Sequence, residues 1–114
     1  MLTIDTLRDY GANVKEGLGR CLNSEAFYLK MVRLGLSDEN FEKLRTSVEK
    51  KDAVAAFEAA HALKGSIGNL ALTPIFNPLC ELVELLRGKK EMVDTGTLVE
   101  TILSEHEKLC KLDG

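Results

Sequence analysis

Apolar residues along this chain recur at steps of three and four, with no sustained alternation of apolar and polar positions. That periodicity predicts helices joined by short polar links. A short helix over about residues 3 to 10 ends at Gly11, and a brief helical turn over about 14 to 19 ends at "GLGR". Ser24 offers an N-cap with Glu25 behind it, and Phe27, Met31 and Leu34 keep helical spacing up to an interruption near Gly35. Ser37 can cap a restart, "SDENFEKLRTSVEKK", with Phe41, Leu44 and Val48 as its apolar stripe. Lys50 and Lys51 suit the negative end of that helix's dipole, and Asp52 fits the N-cap of the next helix.

Further on, Thr73 and Pro74 form a helix start, an N-cap hydroxyl followed by proline at the first helical position. Ile75, Leu79, Leu82 and Leu86 continue in register to Gly88. Pro78 lacks the donor that a helix interior needs, so this helix is either kinked there or begins at Pro78, capped by Asn77. Residues 88 to 95, "GKKEMVDT", are a polar connection, and a last helix runs from about Thr97 to Leu112. The expected fold is all-α: an antiparallel four-helix bundle with an additional short N-terminal helix, forming one domain over 1–114. Residues 1–22 would be the N-terminal extension and about 24–112 the bundle.

The stretch "AAHALKGSIGN", residues 59 to 69, raises the main question. Two glycines follow a histidine within seven residues. The helix could stop here, with Lys64 in its last turn and Gly65 as a left-handed cap. The register favours a helix that continues to about Leu70, because Ala53, Ala56, Ala60, Leu63, Ile67 and Leu70 stay in phase across both glycines. At about 100° per residue, His61 then lies well off this apolar stripe. It shares a face with Val54, Phe57, Lys64, Gly65 and Gly68. Two glycines in a helix interior cost about 2 kcal/mol relative to alanine. The compensation would be space for a partner to approach the imidazole. Close packing by another helix of the same chain is the alternative, ranked lower because His61 and Lys64 share that face.

Composition narrows the chemistry. A net charge of -3 over 114 residues gives no basic face for nucleic acid. Cys21, Cys80 and Cys110 are far apart and odd in number, without metal-ligand spacing, and are expected to pack as small apolar residues in a reducing cytosol. No signal peptide and no apolar run approaching the ~20 residues of a membrane span is present. The protein is therefore expected to be soluble and cytoplasmic. An exposed imidazole is a good nucleophile at cytosolic pH. Lys64, at i+3, can reach a negative group placed on it. No catalytic triad, carboxylate pair or phosphate-cradling loop accompanies them. The arrangement is half of an active site, a nucleophile with a charge stabiliser.

"HALKGSIGNL" resembles the signature of histidine phosphotransfer (HPt) domains of two-component phosphorelays. The flanking "EAFYLKMVRLGL", "FEKLRTSVEKKDAVAAFEAAHALKG" and "LTPIFNPLCELVELLRGKK" are similar to the family's layout over nearly the whole chain. The resemblance implies a four-helix bundle with His61 exposed on its second helix and phosphorylated on Nε2. Lys64 would balance the phosphate charge, and Gly65 and Gly68 would leave room for the incoming site. It implies a phosphocarrier without catalytic activity or cofactor of its own. Its partners would be a sensor histidine kinase and a response-regulator receiver domain, which supplies the aspartate and a divalent metal. A monomer is expected, as is a stand-alone protein.

Two departures stand out. The family often has glycine ten residues after the histidine, where this chain has Ala71, so a tighter helix end is expected. Chemotaxis-kinase phosphotransfer domains usually add a histidine and a glutamate on the following helix, where this chain has Cys80 and Val83, which favours a phosphorelay module. The alternative function is a receiver-binding adaptor that is not phosphorylated. A metal-binding or catalytic bundle would need inward-facing Glu and His pairs, and "SEHE" near the end has no matching partner helix. His106, among Val99, Leu103 and Cys110, is expected to be a packed or boundary side chain. Ser66 lies about 140° around the helix from His61 and is assigned no phosphate contact. Docking specificity would lie around His61, including Val54 and Phe57.

Overall fold

A computed structural model describes all 114 residues as seven helices without strands. They are α1 (Ile4–Tyr10), α2 (Val14–Arg20), α3 (Glu25–Leu36), α4 (Asn40–Glu49), α5 (Ala53–Asn69), α6 (Thr73–Leu86) and α7 (Leu98–Asp113). Short links make successive helices from α4 onward antiparallel, and α4, α5, α6 and α7 pack in sequence as the bundle. Helix α5 sits between α4 and α6. Its buried face carries Ala53, Ala56, Ala59 and Ala60, small side chains that let both neighbours approach closely, then Leu63 and Ile67.

Local chemistry sets most boundaries as expected. Thr3 caps α1 in a reciprocal capping box with Thr6, and Gly11 closes it at φ 113. The Ser24 and Asp52 side chains each accept from the backbone N–H three residues on, starting α3 and α5. Four expectations are corrected. Gly35 does not interrupt α3, which runs to Leu36; a Cβ at Gly35 would stand 2.5 Å from Leu70 Cδ1, so the glycine admits the end of α5. Ser37 closes α3 by donating to Arg33 O, while Asp38 accepts from the Asn40 N–H ahead of α4. Helix α6 is capped by Leu72 rather than Thr73 and runs through Pro78, which is buried inside it. The face of α3 also differs from the expected stripe: Tyr28, Val32 and Leu36 are buried, whereas Phe27 and Leu34 are exposed.

The N-terminal helices cover the end of the bundle where α5 and α7 finish and α6 begins. There the Tyr28 hydroxyl donates to Leu70 O at 2.8 Å and the Asn13 N–H donates to Ala71 O at 2.9 Å. Arg33 pairs with Asp113 at 3.1 Å. The two chain ends meet at the same place: the Met1 amino group donates to Leu112 O at 3.1 Å and the Leu2 N–H to Asp113 Oδ1 at 3.3 Å. Buried apolar residues from all seven helices make one continuous core. No helix is long and apolar enough to cross a membrane.

Candidate functional site

Helix α5 continues without a break through Gly65 and Gly68, so the face predicted around His61 exists as a helical face. His61 is exposed and Lys64 half-buried on it. Both line an open groove of about 400 Å³ between α5, the start of α6 and α2. Gly65, Gly68 and Asn69 continue its floor, Phe76 of α6 forms one side, and Glu16 and Arg20 of α2 form the other. A larger groove between α4 and α5 is lined by polar side chains such as Glu42, Lys43 and Glu58, and does not include His61.

The two glycines do different things. A Cβ at Gly65 would meet nothing within 4 Å, so the surface one turn from His61 is bare towards solvent. A Cβ at Gly68 would stand 2.7 Å from Phe76 Cε1. The space at Gly68 is thus taken by a ring of the same chain, the alternative ranked lower on sequence grounds. Its absent side chain lets α6 pack against α5 while the backbone still lines the groove.

Around the imidazole, Phe57 stacks on His61 with ring centroids 5.6 Å apart and planes 21° apart. The Arg87 guanidinium lies over Phe57, 5.4 Å from its centroid. Arg87 is in turn held by Glu84 through contacts of 3.1 and 3.4 Å. Those hydrogen bonds hold the Glu84 carboxyl below the usual carboxylate range, with a smaller contribution from the Lys64 charge. At the far end of the groove Arg20 donates to Gly68 O at 2.6 Å and pairs with Glu16 at 2.6 Å. That contact ties α2 to the His61 helix across 48 residues of sequence.

Ser66 turns away from the groove, donating to Asp38 Oδ2 at 3.3 Å and Leu63 O at 3.3 Å. Val83 is buried in the core, and neither it nor Cys80 lines the His61 groove. His106 is a boundary residue: it stacks on Phe41 with centroids 3.7 Å apart, and its Nε2 lies 2.8 Å from Leu36 O. The cysteines are all free, but Cys110 is exposed rather than packed, 3.5 Å from that same nitrogen. Burial is the main cause of a Cys110 thiol pKa above the ordinary value, aided by the charges of Asp113 and Glu107. Ala71 adopts φ 57, a left-handed conformation that glycine enters without steric cost.

Sequence reasoning found His61, Lys64, Gly65 and Gly68 together. It placed Phe57 on the right face without its stacking role, and it missed Glu16 and Arg20. Their i, i+4 spacing on α2 was visible, but nothing local ties that pair to a helix some forty residues on. No curated protein and no solved structure matches the sequence. Residues 34–111 match the model of the Hpt domain. With its all-helical bundle and lone exposed histidine, the chain belongs to the Hpt domain family, phosphocarriers of two-component signalling that interact with receiver domains and kinases.

Proposed function

We propose that His61 accepts a phosphoryl group from the aspartate of a response-regulator receiver domain, or from a sensor histidine kinase, and returns it to a receiver. With a receiver as donor, a lone pair of the His61 ring attacks phosphorus as the acyl-phosphate P–O bond breaks. The bonding pair leaves with the aspartate carboxylate, and the other ring nitrogen keeps its proton. Lys64 offsets charge on the bound phosphoryl group. Gly65 leaves the approach open, and the receiver brings the divalent metal and the rest of the catalytic groups. A monomer in the cytoplasm suffices, because the complementary half of the site belongs to the partner.

The observation that carries this reading is the exposed His61 beside bare Gly65, with Lys64 one turn along the same groove. The test is transfer of label to the purified protein from a panel of phosphorylated receivers. Acid-labile, alkali-stable label on the wild type, absent from His61→Gln, is the expected result. Binding to a receiver with no label would overturn it in favour of a receiver-binding adaptor.

A further inference from the structure

We infer that Phe57 is a positioning residue for His61: its ring holds the imidazole in one geometry and stabilises the positive charge that the imidazole acquires on phosphorylation. The inference rests on His61 being the phosphoryl acceptor. Hydrogen bonds within the chain engage only the other imidazole, that of His106, so no polar contact fixes the torsions of His61. Side chains on a helix lean back over the preceding turn, onto the residue four positions earlier. For His61 that residue is Phe57, and the 5.6 Å centroid separation with 21° between planes is an offset-stacked pair. Such pairs favour their stacked arrangement by roughly 2- to 13-fold.

Phe57 is itself held in place. It is half-buried, and Arg87 reaches across from the end of α6 to lie 5.4 Å from its centroid. Arg87 is oriented by its two contacts with Glu84. A row of four groups thus runs from α6 to the reactive ring. A leucine at 57 would fill the same half-buried position and keep the helical stripe, but it would offer no π face.

Charge gives the stack its second role. When a ring nitrogen bonds to phosphorus while the other keeps its proton, the imidazole becomes a cation. The 5.6 Å separation lies within the ~6 Å over which a cation is attracted to an aromatic face. At an exposed site that attraction amounts to roughly a two- to fivefold gain. Phe57 would therefore favour the phosphorylated form of His61 without touching the phosphoryl group.

The test uses phosphoramidate, a small phosphoryl donor that needs no protein partner, on the full-length chain, with the His61 ring followed by NMR. In Phe57→Leu the His61 ring C–H resonances should move downfield as the ring current is lost. Phosphohistidine should accumulate about two- to fivefold less at equal donor concentration. Phe57→Tyr should restore both. Unmoved His61 resonances, or an undiminished yield in Phe57→Leu, would overturn the inference. So would slower transfer from a receiver with a normal phosphoramidate yield, which would make Phe57 a docking contact. If no receiver labels the wild type while phosphoramidate behaves as expected, the relay reading falls and the positioning role stands.

Discussion

Replacing Gly65 with alanine separates what the fold wants from what the partner needs. In a helix interior the change to alanine is worth about 1 kcal/mol of stability. Nothing in the chain opposes it, since the new methyl group meets no atom within 4 Å. An unfolding entropy of about 2.1 cal/mol/K per residue over 114 residues converts this gain to a rise of about 4 °C in Tm. For a receiver that packs closely beside His61, the same methyl is an overpacked contact costing about 1–3 kcal/mol. Docking should therefore weaken roughly 5- to 150-fold. Thermal unfolding followed by circular dichroism, and transfer kinetics against a matched phosphorylated receiver, give the two numbers. Gly68→Ala is the control: its methyl collides with Phe76, so an overpacking cost of about 1–3 kcal/mol outweighs the propensity gain and Tm should fall. A Gly65→Ala protein that is both more stable and fully competent with every receiver would refute the idea that this glycine exists for the partner.

Further outcomes follow from individual contacts. Ala71→Gly should raise stability by about 0.5–1 kcal/mol in denaturant titration, because relief of the left-handed strain at φ 57 exceeds glycine's added entropy. Tyr28→Phe should lose about 1 kcal/mol with its buried hydrogen bond to Leu70 O, and this too is read by denaturant titration. Burial, with a lesser contribution from Cys21, pushes the Tyr28 hydroxyl up to about 12. Its contribution is thus fully present below about pH 10, the unfolded value, and lost as pH rises through the folded value; melts from pH 9 to 12 should show the loss in the wild type and a smaller one in Tyr28→Phe. His106→Ala should cost about 2 kcal/mol through its stack on Phe41 and its bond to Leu36 O, yet leave phosphohistidine label intact. Loss of label in a folded His106→Ala protein would count against His61 as the sole acceptor.

Much of α5 was legible because local and long-range signals agreed there. Asp52 caps it, the stripe from Ala53 to Leu70 keeps phase, and no competing face is apolar enough to confuse the register. Helix α3 misled for the opposite reason. "EAFYLKMVRLGL" is apolar nearly all round, so Phe27, Met31 and Leu34 present as good a helical stripe as Tyr28, Val32 and Leu36. The choice between them depends on Gly17 and Leu70. A Cβ at Gly17 would stand 2.5 Å from the Tyr28 ring, and the Tyr28 hydroxyl reaches Leu70 O. Spacing alone carries no trace of such partners. Thr73 ahead of Pro74 has the form of a cap but does not make one, since its hydroxyl bonds Ala71 O and the helix is started by Leu72. At the site, His61 and Lys64 follow from one short motif. The Arg87–Phe57 contact and the Arg20–Gly68 contact join distant segments and emerge only from the folded chain.

The meeting of Met1 with Leu112 means that the fold of residues 1–114 is nearly a closed ring, opened at one of several possible places. A short linker across that gap, with a new opening in the connection between α6 and α7, would reorder the helices and leave every bundle contact in place. The His61 groove draws on α2, α5 and α6, none of which would be cut. Such a permuted chain should fold and retain its histidine surface. For the same geometric reason, the module could be inserted into a surface loop of another protein, entering and leaving at one spot with its His61 face turned outward.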